Sequence, residues 1–116
     1  MKRKLRAIKL EATEDFERAC LVSTDDDLTT LQQFVDGYIE IVRIAPDAVM
    51  IVNDEGLIGG LPINTLASPL YGHPIAGNAW IFGIDSDGEL QDAPDEYLAK
   101  VLDILKTGES YQWGDE

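Results

Sequence analysis

Five consecutive residues, Ala48-Val49-Met50-Ile51-Val52, carry no polar side chain. Successive side chains of a strand point to opposite faces, so a run that is apolar at every position has no face suited to water. The run reads as a central strand covered on both sides. Its covering layers have to come from elsewhere in the chain.

The flanking segments supply neighbours for it. Tyr38–Ile44 is rich in β-branched and aromatic residues and predicts a strand with Ile39 and Ile41 on one face. Pro46-Asp47 turns that strand into the apolar run, and Asn53-Asp54-Glu55-Gly56 marks a tight turn after it. Leu57-Ile58 is expected to pair back as a short strand. Further upstream, Leu5, Ala7, Ile8 and Leu10 fit a first strand with one wet face. A charged turn at Glu14-Asp15 leads to a second strand at Ala19–Val22.

Helices are signalled twice. Thr24-Asp25-Asp26-Asp27 offers capping side chains and carboxylates for the positive end of a helix dipole. Leu28, Leu31, Phe34 and Val35 then recur at helical spacing, with Gly37 as the stop. Pro94 opens the second helix, whose apolar positions Leu98, Val101, Leu102 and Leu105 are followed by Lys106 and Gly108. Between them, Gly59–Asn78 is interrupted by glycine and proline; a short helix around Asn64–Leu66 is expected inside an ordered loop. Ala79–Ile84 predicts another strand, ending in the turn Asp85-Ser86-Asp87-Gly88.

The expected architecture is an α+β domain over residues 1–109, with an antiparallel or mixed sheet of about five to six strands and two main helices. Residues 110–116 read as a C-terminal tail. At 116 residues and 45% hydrophobic content, one domain with its own core is expected. Cys20 is the single cysteine and lies in an apolar run, so it reads as a core thiol in a cytoplasmic protein. The N-terminal cations are interleaved with apolar residues instead of preceding a continuous apolar stretch, and no segment has the ~20 apolar residues of a membrane-spanning helix.

Charge is strongly segregated. Met1–Lys9 holds five of the nine cations and no carboxylate, whereas all 22 Asp and Glu residues come later, giving a formal net charge of −13. A cationic first strand beside an acidic body implies either internal charge pairing or two distinct faces. Direct nucleic-acid binding is not expected from such a balance.

The motifs that usually carry chemistry are incomplete. Asp85–Glu89 has carboxylates, but Gly88 is fourth where a calcium loop of the EF-hand type needs glycine sixth, and Leu90 occupies that sixth place. Gly56-Leu57-Ile58-Gly59-Gly60 lacks the Gly-Lys-Ser/Thr ending of a P-loop. One histidine (His73) and one cysteine cannot assemble a His/Cys zinc set. No catalytic residue, metal or cofactor is therefore assigned. The candidate ligand-binding residues are Tyr38, Glu40, Asn53, Asn64, His73, Asn78 and Trp80. Glu40 is included as the one carboxylate inside its strand, with Tyr38 on the same face. His73, Asn78 and Trp80 are included because aromatic walls with a few polar groups suit ligand sites, and Asn53 and Asn64 because they stand in turn and loop blocks that carry a family resemblance.

Four blocks resemble a known family. Leu31-Gln32-Gln33-Phe34-Val35-Asp36-Gly37-Tyr38-Ile39-Glu40 resembles the LQ-x-x-V-G-G-Y-I-E stretch of the DUF3846 family, with Asp36 standing where that family usually has its first glycine. Asn53-Asp54-Glu55-Gly56 is similar to its N-E-E-G turn. Leu61-Pro62-Ile63-Asn64-x-x-Ala67 and Ile75-Ala76-Gly77-Asn78-Ala79 are similar to its L-P-x-N-x-x-A and I-x-G-x-A segments. The resemblance implies a domain of unknown function common in phages and mobile elements, with no established catalytic set.

Three functions are expected in competition. The first is a non-enzymatic phage or mobile-element accessory protein that binds a host component. The second is an acidic DNA mimic acting in antirestriction, since DNA-binding clefts depend on charge neutralisation. The third is a protein that binds a small ligand such as a nucleotide signal. A host protein or small ligand is the expected partner, with no membrane association, and the chain is expected to be a monomer or homodimer.

Overall fold

The structure, a computed structural model, describes residues 4–13 and 17–107. The expected turn at Glu14-Asp15, the Gly108 helix stop and the expected tail at 110–116 lie outside the described residues. The chain runs β1 (Lys4–Ala12), β2 (Glu17–Asp25), α1 (Leu28–Val35), β3 (Ile39–Ala45), β4 (Ala48–Asn53), α2 (Ala67–Tyr71), β5 (Ala79–Ile84), β6 (Leu90–Gln91) and α3 (Asp95–Thr107). The described strands form one sheet in the order β2-β1-β5-β4-β3, with β6 pairing β5, and every pairing is antiparallel. The fold is a small α+β domain.

The apolar run dictates the layering. Ala48–Val52 is buried at all five positions, with β4 paired on both edges and covered on both faces. Met50 and Val52 face one core with Ile8, Leu10, Ile81 and Val101. Val49 and Ile51 face the other, with Leu5, Leu31, Trp80 and Phe82. Thus α1 covers one side of the sheet, and α2, α3 and the 61–78 loop cover the other.

Several local boundaries differ from expectation for physical reasons. Asp27, the last of the acidic run, caps α1 by accepting from Thr30 N–H at 3.0 Å. The helix ends on Asp36 in the left-handed region (φ 64), one residue before Gly37. Leu57-Ile58 is a turn and not a strand: Gly59 and Leu61 N–H donate to the Glu55 and Gly56 carbonyls, which folds the segment back on itself. The short helix begins later than expected, at Ala67, because Asn64 acts as its upstream cap: its Oδ1 accepts from Leu66 and Ala67 N–H. In α3 the buried face is Tyr97 and Val101 with Leu98 and Ile104 beside them, whereas Leu102 and Leu105 are exposed. Cys20 is half-buried, not buried, because β2 is an edge strand.

The cationic first strand is largely paired internally. Lys4 meets Asp25 at 3.2 Å across the β1–β2 ladder, and Arg6 reaches Asp95 at the start of α3 at 3.2 Å. Arg18 pairs with Glu11 at 2.8 Å. Lys9 lies 4.7 Å from the Phe34 ring centroid and 5.2 Å from that of Trp80, in cation–π range. These pairs are mostly exposed, so each contributes little to stability. Their effect is to place compensated charge at the β1–β2–α3 end of the molecule.

Candidate functional site

A concavity of about 280 Å³ opens at the opposite end, against the face of β3 and β4 that carries Val42 and Val52. Three elements build it. Strands β3 and β4 supply the floor, the 54–58 turn forms one wall, and Tyr71 with Pro74–Ala76 forms the other. The strand period places Glu40 on the floor side, because it stands opposite Val52 and two residues from Val42.

The turn wall is held close by backbone contact. A Cβ on Gly56 would meet the Ala76 carbonyl oxygen at 2.5 Å, so only glycine lets the two walls approach this far. That approach brings Asp54 and Glu55 to the rim on which Glu40 already stands. All three carboxylates are in exposed positions, and among the described residues no Lys, Arg or His lines the concavity. The hollow therefore pairs an apolar floor with an anionic rim. Its chemistry suits an occupant with an apolar body and a cationic tip, since a positive group there would be attracted by three like charges.

The sequence-predicted residues distribute unequally around this hollow. Glu40 and Asn53 line it. Asn53 also ties the fold together: its Nδ2 donates to the carbonyls of Val35 and Asp36, and its Oδ1 accepts from Glu55 N–H at 2.7 Å. Tyr38 is 74% exposed and belongs to a neighbouring, shallower hollow beside Gln32, Gln33 and Asp36 of the α1 end. His73 is exposed and packs edge-on against Tyr71, with ring centroids 5.2 Å apart, so it stands beside one wall.

The remaining three sit inside the fold. Asn64 is fully buried, and its Nδ2 donates to the carbonyls of Leu10 and Gly77 at 3.0 and 2.9 Å. Asn78 accepts from Ala12 N–H through Oδ1 and donates from Nδ2 to the Phe34 carbonyl, joining β1 to α1. Trp80 is 1% exposed and donates from Nε1 to the Leu31 carbonyl. Asp54 and Glu55, which sequence reasoning took as turn residues, complete the hollow together with Tyr71. The acidic turn was legible as a turn, but its meeting with Tyr71 and Ile75 has no local signal.

Among the described residues no group of three His, Cys, Asp or Glu side chains is arranged to hold a metal ion. None of the described helices is long and apolar enough to cross a membrane.

The model of the family described as "Domain of unknown function (DUF3846)" matches residues 5–106, which is nearly the whole described chain. The chain belongs to the DUF3846 family. No curated protein sequence matches this DUF3846 domain. Its fold is similar to part of the crystal structure of small RNA methyltransferase HEN1, with a TM-score of 0.62 at 13% identity. That likeness covers 90% of this DUF3846 domain but 17% of the HEN1 chain, and at such identity it is a likeness of fold alone.

Proposed function

We propose that this DUF3846 domain is a non-enzymatic binding module, an accessory protein of a phage or mobile element that acts by engaging a host component through the β3–β4 concavity. The observation that carries the reading is the anionic rim of Glu40, Asp54 and Glu55 around an apolar floor. It is supported by the placement of the cations, since Lys4, Arg6 and Arg18 pair with carboxylates away from this end. The matching feature on a partner is a lysine or arginine side chain presented on an apolar surface. A nucleotide signal fits less well, because its phosphates would face the carboxylates.

NMR titration of the labelled chain tests the reading with Nα-acetyl-lysine methylamide, Nα-acetyl-arginine methylamide and ADP as probes. The cationic probes are expected to shift the amides of Glu40, Asp54 and Glu55, and Glu40→Gln with Glu55→Gln is expected to weaken them. If ADP shifts those amides and neither cationic probe does, the domain binds nucleotides and the proposal fails.

The acidic DNA-mimic reading draws on the same rim and differs in the partner. It requires a host DNA-binding enzyme whose cleft accepts the domain, with affinity falling steeply as salt rises. Competition between the domain and duplex DNA for such an enzyme separates the two. Binding that leaves DNA occupancy unchanged removes the mimic.

A further inference from the structure

We infer that the partner segment binds as an added β-strand along the open edge of β3, with alternating basic and aliphatic side chains. This rests on the reading of the concavity as a site for cationic groups and assigns the shape of what enters it.

Strand β3 ends the sheet: among the described residues it pairs with β4 and with no other strand. Its hydrogen-bonding phase follows from one contact. Asp54 N–H donates to the Tyr38 carbonyl at 3.0 Å, and the register continues as Ile39 opposite Asn53 and Glu40 opposite Val52. In an antiparallel ladder alternate residues exchange bonds with the partner strand. Tyr38, Glu40 and Val42 therefore face β4 with their main-chain groups, and Ile39, Ile41 and Arg43 turn theirs to the open edge. The edge is accessible along this stretch, because Tyr38, Glu40, Ile41 and Arg43 are all exposed.

The two faces of that edge differ in chemistry. On the concavity side stands Glu40, with Asp54 and Glu55 behind it. On the α1 side stands Ile41, 53% exposed beside Ile51 of the core. An added strand places its side chains alternately on these faces. Positions on the concavity side meet three carboxylates and select lysine or arginine. The intervening positions, opposite the half-buried Ile39 and the exposed Ile41, cover aliphatic surface and select valine, isoleucine or leucine. Main-chain bonds to an open edge supply affinity, and the alternate side chains supply selectivity. Open edges are usually blunted against such pairing by charges and bulges. Here the bulge between Arg43 and Ala45 marks the far limit of the free ladder.

The test titrates the full ¹⁵N-labelled chain with the peptide acetyl-Lys-Val-Lys-Val-Lys-amide. A second peptide has both valines N-methylated. The valines lie opposite Ile39 and Ile41, so methylation removes the two N–H donors to the Ile39 and Ile41 carbonyls while keeping every charge and side chain. The expected result is slowed hydrogen exchange at the Ile39 and Ile41 amides with the first peptide. The methylated peptide should bind roughly tenfold more weakly, as loss of two main-chain bonds implies. Equal binding of both peptides, with those amides unprotected, overturns strand addition and leaves the cationic hollow standing. If neither peptide nor acetyl-lysine methylamide shifts the Glu40, Asp54 and Glu55 amides, both readings fall. Protection of the same amides that grows with concentration of the chain alone assigns the edge to a second copy and overturns the proposal.

Discussion

Asn53 Nδ2 donates to the carbonyl oxygen of Val35 at 3.1 Å, tying the end of β4 to the last turn of α1. The same nitrogen lies 3.2 Å from the Asp36 carbonyl, and the Asn53 Oδ1 accepts from Glu55 N–H. One amide therefore satisfies helix-end carbonyls on one side and fixes the acidic turn on the other. Replacing it with alanine leaves these main-chain groups without their protein partner. Asn53→Ala is expected to cost about 2 kcal/mol. Urea unfolding of the two chains checks this, and a midpoint equal to the parent's would show that water replaces the amide at no cost. Because Glu55 is held by the same side chain, the variant should also weaken lysine-derivative binding at the concavity.

Asp36 is the one non-glycine residue with positive φ among the described residues, at 64°. An L-residue pays a steric cost there, less for Asp than for most, and a carboxylate at the C-terminal end of a helix is unfavourably placed against the dipole. Asp36→Gly removes both effects and adds some unfolded-state entropy in opposition. The net expectation is a gain of about 0.5 kcal/mol, read as a higher urea midpoint. Asp36→Ala also removes the charge but pays a larger left-handed cost than Asp, whose short polar side chain tolerates αL; it should lower the midpoint, so the pair of variants separates backbone from charge.

Asn64 is expected to be the least replaceable polar residue in the described chain. It is 0% exposed, donates to Leu10 and Gly77, and accepts from Leu66 and Ala67. Asn64→Ala should cost about 3 kcal/mol, as buried network losses do. Asn64→Asp keeps the shape but sets a carboxylate against two carbonyl oxygens. Its deficit should shrink as pH falls, because a protonated carboxyl regains one donor. Thermal unfolding of this variant at neutral and mildly acidic pH measures the difference; a deficit that grew on acidification would contradict the network.

The contrast between these residues shows what could be seen in the chain before its structure. Strands β4 and β5 were legible because burial on two faces leaves apolar side chains at nearly every position. The same signal misled at Leu57-Ile58, where two exposed apolar residues ride on a turn whose geometry is set by backbone bonds to Glu55 and Gly56. In α3 an apolar set at Leu98, Val101, Leu102 and Leu105 competed with Tyr97, Val101 and Ile104; burial of α3 in the core that holds Ile8, Met50 and Ile81 decided for the second. Glu40 could be singled out as a carboxylate inside a strand. Its partners Asp54 and Glu55 could not, since their place on the rim depends on Gly56 touching Ala76, twenty residues away.

Tyr97 gives the fold an alkaline limit. It is 3% exposed, and burial pushes its phenol above the usual value, with Glu96 and then Asp47 adding to the effect. The folded state thus holds a proton that the unfolded chain releases near pH 10. Above that pH the unfolded state binds fewer protons than the native one, so stability falls as pH rises through the window between the two values. Urea unfolding at pH 8 and at successive steps above pH 10 should show this decline. Tyr97→Phe keeps the ring and removes the ionisation, so its decline should be shallower than the parent's. Parallel curves for the two chains would place the alkaline sensitivity elsewhere.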